Sequence, residues 1–260
     1  MTILERIVAD KLAEVAARQA QTSLKELELS GAKRTDFRDF HGALTQPGVQ
    51  IIAEIKRASP SKGDLDLNLD PAKLAQQYEA GGAAALSVLT EGKYFRGSDQ
   101  DLQAARQATN IPVLRKDFIL TPYQAYEALA LGADAILLIV RILSDEQLEE
   151  LHQLAINLGL GVLVEVHDEA DLQRTLSLKP QLIGINNRDL SSFHTDINVA
   201  MRVAQQVQNG LPIALSGISS LDDAAANLRQ GLRHFLVGEA LVKAKNSTDF
   251  LRQLRALPED

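Results

Sequence analysis

Eight short β-rich runs, each followed by a stretch with helical spacing, predict an α/β fold: a (β/α)8 barrel with an N-terminal helical extension. The runs are 49–55, 83–89, 112–115, 135–140, 161–166, 182–186, 212–216 and 234–238, and the helical stretches are 71–80, 98–108, 122–131, 144–158, 168–177, 196–208, 220–230 and 246–256. A second observation is punctuation. Gly81-Gly82, Gly132, Gly159, Gly210 and Gly231 stand just ahead of a new run, where a helix closes on a left-handed residue. A third is chemical: nearly every run exits into polar or charged residues, as a barrel requires where its βα loops form the active face. A doubly wound open sheet needs a reversal of strand order and stays open at this level.

Taken in order, residues 3–20 place Ile3, Leu4, Ile7, Val8, Leu12, Val15 and Ala16 on one helical face. Ser23, Leu24, Leu27 and Leu29 predict a second, short turn of helix, and Asp36 to Gly48 reads as a connector rich in Gly, Pro and Thr. The expected boundaries are 1–48 for an extension packing on the barrel and 49–260 for the barrel, one structural domain overall. The first run carries Glu54 and Lys56, which a period of two puts on one face. On a solvent-facing strand such a pair costs nothing. Flanking isoleucines on both faces read instead as a buried parallel strand, where charges need partners or a task.

The ends of the runs, in order, are Glu54 with Lys56, Thr90-Glu91, Lys116-Asp117-Phe118, Ile139-Val140-Arg141, Glu165, Asn186 with Arg188, Ser216-Gly217 and Gly238-Glu239. Any one of them alone reads as an exposed loop charge; a ring of them at one mouth reads as a site. Ser216-Gly217-Ile218-Ser219 and Gly238, after the seventh and eighth runs, form a candidate phosphate cradle of backbone N–H groups. Lys116 is a candidate Schiff-base nucleophile, general acid or anion anchor, against the plainer outcome of a salt bridge with Asp117. Glu165, across the mouth, supplies a base where Lys116 supplies an acid. His167 makes a Glu-x-His pair with no third metal ligand, and His41, His152, His194 and His234 read as surface or packing residues. Phe95 and Phe118 are candidate walls for an aromatic ligand.

Composition narrows the class. With 260 residues and 45% hydrophobic content the chain can bury one large core. No apolar run reaches the roughly eighteen residues of a membrane span, and the charged start lacks a secretory apolar region. The absence of cysteine excludes disulfides and thiol catalysis and fits the cytoplasm. A net charge of -7 without a basic stripe argues against nucleic acid, so an anionic ligand must be held by a local site.

Five stretches, 53–63 (AEIKRASPSKG), 87–95 (SVLTEGKYF), 114–119 (LRKDFI), 185–190 (INNRDL) and 216–218 (SGI), together resemble indole-3-glycerol-phosphate synthase. The resemblance runs over almost the whole chain. It implies a carbon–carbon lyase that closes the ring of 1-(2-carboxyphenylamino)-1-deoxyribulose 5-phosphate, releasing CO2 and water, to give indole-3-glycerol phosphate in tryptophan biosynthesis. It implies catalytic roles for Lys116, Glu165, Lys56, Glu54, Asn186 and Ser216. Lys116 would protonate the ribulose carbonyl oxygen as the ring carbon attacks. Lys56 and Glu54 would hold the carboxylate or hydroxyls and assist dehydration, and Glu165 would act as base or stabilise the iminium. By the same resemblance Ser59, Gly217 and Gly238 help bind phosphate, Arg188 orients hydroxyls and carboxylate, and Phe95, Phe118 and Leu137 contact the aromatic ring. A substrate with about three negative charges matches Lys56, Lys116 and Arg188 at one mouth, with the N-terminal helix covering it. No metal and no cofactor are expected, and the chain is expected to be a monomer or weak homo-oligomer.

Two positions depart from the family pattern: Leu215 stands where Glu is usual, and Glu239 where some members have Ser. The residues alone leave two other readings open. One is a different phosphate-binding barrel, a ribulose-type isomerase or Schiff-base aldolase; the other is a non-catalytic phosphometabolite binder or structural barrel.

Overall fold

The computed structural model describes residues 2–188 and 198–258; Asp189, Leu190 and His194 lie outside the described residues. Eight parallel strands form the barrel: β1 (Gln50–Ile55), β2 (Ala85–Leu89), β3 (Val113–Lys116), β4 (Ala135–Ile139), β5 (Gly161–Val166), β6 (Leu182–Ile185), β7 (Leu211–Ala214) and β8 (His234–Val237). Pairing runs in chain order, and β1 pairs with both β2 and β8 (Ile52↔Ala85, Ile52↔Leu236), so the sheet closes and the open-sheet alternative falls. Closure removes every sheet edge.

Alternation within each strand sorts side chains into two layers. Ile52, Leu114, Leu137, Leu163, Leu182, Ile213 and Leu236 share a cluster inside the barrel. Their neighbours Ile51, Val113, Ile136, Val162, Ile183 and Phe235 belong to a second cluster, between strands and helices. Carried forward two residues at a time, the inward parity of Ile52, Leu114, Leu163, Leu182 and Leu236 reaches Glu54 and Lys56, Lys116, Glu165, Asn186 and Gly238. The apolar pattern of the core thus aims the polar residues at the mouth.

Helices surround this sheet. Counting from the N-terminus they are α1 (Ile3–Gln21), α2 (Leu24–Gly31), α3 (Phe40–Leu44), α4 (Pro71–Ala80), α5 (Asp99–Ala108), α6 (Pro122–Leu131), α7 (Asp145–Asn157), α8 (Glu169–Arg174), α9 (Asn198–Ala204), α10 (Leu221–Leu228), α11 (Glu239–Lys243) and α12 (Ser247–Arg255). Capping boxes start α1 at Thr2/Glu5 and α2 at Ser23/Glu26, and Gly132 closes α6 at φ 90°.

The leading segment departs from expectation at three points. The connector over Asp36–Gly48 contains a helix, α3, capped by Asp39, and its Phe40 and Leu44 are buried with Ile52, Ala85 and Leu163. Phe40 lies against the start of β5, so α3 stoppers the end of the barrel opposite the mouth. One turn with two apolar residues is too short to show periodicity. Second, Leu12 of the expected apolar face is 47% exposed, whereas Lys11 is 2% exposed. Lys11 Nζ lies 2.8 Å from Glu14 and 3.0 Å from Asp117, which offsets the cost of burying it. Third, no residue of 2–48 lines the cavity at the mouth. The first helix buttresses the loops instead: Asp10 accepts from Lys93 (2.6 Å) and Tyr94 (2.5 Å), and Arg18 reaches Asp99 and Glu127. Among the described residues no helix is long and apolar enough to cross a membrane.

Candidate active site

At the C-terminal ends of the strands lies a cavity of about 920 Å³. All thirteen residues singled out in the sequence line it: Glu54, Lys56, Ser59, Phe95, Lys116, Phe118, Leu137, Glu165, Asn186, Arg188, Ser216, Gly217 and Gly238. Among the other strand-end residues, Thr90, Glu91, Val140 and Arg141 do not. Thr90 has outward parity and donates to Asp117 (2.6 Å). Glu91, past the end of β2, turns to accept the N–H groups of Lys93, Tyr94 and Phe95 (2.9, 2.7 and 2.9 Å), shaping the loop that presents Phe95. Arg141, in a single 3-10 turn at Val140–Ile142, is drawn away to Asp168 and Asp171.

Lys56 Nζ lies 2.5 Å from Glu54 Oε1, and Lys116 Nζ lies 3.6 Å from Glu165 Oε2. Lys116 does not pair with Asp117, which is taken by Lys11, Arg115 and Thr90. Burial alone would raise the Glu54 carboxyl; the charges of Lys56 and Lys116, the Lys56 hydrogen bond and Arg188 outweigh it and hold Glu54 below the usual carboxylate range. Asn186 donates to Glu165 Oε1 (2.9 Å) and accepts from Ser216 Oγ (2.7 Å) and the Arg188 N–H (3.1 Å), so one amide ties β5, β6 and the loop after β7 together. Asn187, given no role in the sequence, braces that loop by donating to the Ser216 carbonyl (2.7 Å) while accepting from Ala200 (2.7 Å).

The cavity has an apolar side and a polar side rich in serine, glycine and cationic residues. Phe95 and Phe118 pack with centroids 6.1 Å apart and planes tilted by 46°, and Leu89, Leu137 and Ile139 complete an apolar slot. Opposite, a short hairpin pairs Ala58–Ser59 with Gly63–Asp64 and hangs Ser59, Ser61 and Lys62 over the opening. Arg188 donates to Ser61 Oγ (3.1 Å), and Gly217 holds a φ of 92° in which side chains are strained. Gly238 is required by contact: a Cβ there would meet Glu54 Oε1 at 2.5 Å. Lys62 and Lys243 are lining cations that sequence reasoning left without a role; the signal for Lys62 was its place between Pro60 and Gly63.

Both departures from the family pattern sit in the wall. Leu215 packs over Gly184, where a Cβ would come within 2.5 Å of it, and joins the interior layer with Phe118, Leu137 and Leu236. Glu239 is drawn aside by Lys243 (2.6 Å) and lies 3.9 Å from Arg188, so its charge is largely balanced on the rim.

A family model described as indole-3-glycerol phosphate synthase matches residues 4–254. The chain belongs to the indole-3-glycerol phosphate synthase family. Membership makes it a carboxy-lyase of tryptophan biosynthesis. An indole-3-glycerol phosphate synthase of Desulfosudis oleivorans is 49% identical over 97% of this chain and 98% of its own length. Synthases of the same name from Acidithiobacillus ferrooxidans and Acinetobacter baylyi are 46% and 43% identical, covering 97% and 99% of this chain and 98% and 97% of their own. A thiamine phosphate pyrophosphorylase from Pyrococcus furiosus superposes with a TM-score of 0.60 at 16% identity, over 80% of this chain and 94% of its own, a likeness of fold alone.

Proposed function

We propose that this cavity turns 1-(2-carboxyphenylamino)-1-deoxyribulose 5-phosphate into indole-3-glycerol phosphate, CO2 and water, with the thirteen lining residues singled out above in the roles below. The observation that carries the reading is the layout of one cavity: an apolar slot, a side lined by Ser59, Gly217 and Gly238, and the Lys116–Glu165 and Lys56–Glu54 pairs. The aryl ring lies in the slot of Phe95, Phe118 and Leu137. The phosphate sits against Ser59, Gly217 and Gly238, where backbone N–H groups and the start of α11 favour an anion.

Held this way, the ring carbon bearing the carboxylate is folded onto the ribulose carbonyl, and positioning supplies much of the rate. As the carbon–carbon bond forms, Lys116 protonates the carbonyl oxygen, leaving a hydroxyl. The carboxylate departs as CO2, and its bonding pair restores the aromatic ring. Loss of the hydroxyl as water, assisted by Lys56 and Glu54, leaves an iminium that Glu165 stabilises or deprotonates at the adjacent carbon. Asn186 and Ser216 hold Glu165 in place, and Arg188 orients hydroxyls and carboxylate. Lys56, Lys62, Lys116 and Arg188 all line the cavity, which answers a trianionic substrate inside a chain of net charge -7. We take the protein to work as a monomer or weak homo-oligomer, in the cytoplasm.

The test is direct. Mixing the purified protein with this substrate in EDTA should give rising indole fluorescence against a chain that has no tryptophan. Lys116→Ala should lower turnover by about a hundredfold or more, the effect of a positioned acid. Borohydride should trap no adduct. Retained turnover in Lys116→Ala would remove the lysine from the chemistry.

A further inference from the structure

The histidine of the Glu-x-His pair has no part in the roles above, yet the structure builds a small assembly around it. His167 follows β5 and is 2% exposed, and it does not line the cavity. Its Nε2 faces Glu165 Oε1 at 3.3 Å, and its Nδ1 faces Asp171 Oδ2 at 3.5 Å. Neither ring nitrogen meets hydrogen-bond geometry, so both contacts are poised but loose. Asp171, in the first turn of α8, is fixed more firmly. Its Oδ2 accepts the His167 N–H (2.9 Å) and Arg141 Nε (2.9 Å), and its own N–H donates to Asp168 Oδ1 (2.8 Å). Burial would raise the Asp171 carboxyl; contacts with His167 and Arg141 hold it below its usual value.

Seen from the reacting end, the division of the Glu165 carboxylate matters. Oε1 takes the Asn186 amide at 2.9 Å and faces the imidazole, whereas Oε2 faces Lys116 at 3.6 Å and accepts no hydrogen bond. The terminal torsion of a glutamate is broad and two-fold, so one donor from Asn186 does not by itself hold the carboxylate plane. A second donor placed behind Oε1, where the imidazole Nε2 lies at 3.3 Å, would hold that plane and leave Oε2 aimed at Lys116.

We propose that His167 is a positioning residue for Glu165, acting through Nε2, with Asp171 and Arg141 holding the imidazole from the other side. The assembly follows the logic of a ligand or base oriented by a third group. The charged and titratable groups facing the ring are Glu165 from β5 and Asp171 from α8, the latter carrying Arg141 from the turn after β4. The proposal rests on Glu165 acting in the reaction described above.

Four variants separate the possibilities by kcat and KM for the ring-closing reaction. Glu165→Gln tests the underlying reading, and its loss of turnover is required first; full turnover there would sink the role of Glu165 itself. His167→Leu keeps bulk without a donor, and is expected to lower kcat about tenfold or more with KM nearly unchanged. His167→Gln places an amide N–H near the Nε2 position and is expected to recover most of kcat. His167→Asn reaches only the Nδ1 position and is expected to resemble the leucine variant. If Glu165→Gln is inactive but Gln at 167 is no better than Asn, or if only KM changes, the positioning role is overturned. Should the leucine variant not fold, the Gln and Asn variants decide the matter between them.

Discussion

Replacing Lys11 with Met keeps an apolar stem in α1 and removes one buried charge. The lysine is 2% exposed and its partner Asp117 has a side chain with no exposure, 3.0 Å away. Removing one member of a buried pair costs about 3–5 kcal/mol, because the other is left uncompensated. Asp117 keeps the Thr90 hydroxyl (2.6 Å), the Phe118 N–H (2.8 Å) and Arg115 (3.4 Å), which places the loss near the lower end, about 3 kcal/mol. In a chain of this length that is a fall in Tm of about 6–12 °C. The matched control is Lys93→Met, which breaks the exposed 2.6 Å pair with Asp10 and should leave Tm nearly unchanged. Denaturant unfolding across pH adds a sign. Burial pushes the Asp117 carboxyl up, but Arg115, Lys11 and Thr90 outweigh it and hold it below its usual value. Such a depressed group contributes stability above its unfolded pKa and loses it as pH falls through the folded one. The Lys11→Met deficit should therefore be widest at neutral pH and narrow in acid. A deficit no larger than that of Lys93→Met, or one unchanged in acid, would refute the buried-pair account.

Other outcomes follow from the same geometry. Gly238→Ala drives a methyl to 2.5 Å from Glu54 Oε1, so kcat should fall about a hundredfold in the ring-closing assay, with a stability cost of about 1–3 kcal/mol. Leu44→Ala, at a site with no exposure in the barrel stopper, should cost about 2–5 kcal/mol by denaturant unfolding and leave KM unchanged. Phe118→Ala opens the apolar slot and should raise KM for the aryl substrate more than it lowers kcat, as steady-state kinetics will show.

Much of the site was legible because a barrel strand is a ruler with a period of two. Once Ile52 and Ile55 mark opposite faces of β1, Glu54 and Lys56 can only point inward, and the same count aims Lys116 and Glu165. The count fails where the strand stops. Glu91 and Arg141 stand just past the ends of β2 and β4, where the chain has already turned, so their side chains go to loop backbone and to neighbouring carboxylates. Lys11 was illegible for another reason. Its burial depends on Asp117, more than a hundred residues on, and a binary pattern reads a lysine as surface and Leu12 as core. The helix α3 was hidden by its length, and the task of Asn187 by its being a brace between two loops.

The stopper formed by Phe40 and Leu44 has a kinetic meaning. With the interior filled by side chains and the far end plugged, the barrel is blind-ended, and nothing drains through its axis. Carbon dioxide and water must therefore leave by the same opening as indole-3-glycerol phosphate. A single opening thus serves the substrate and all three products.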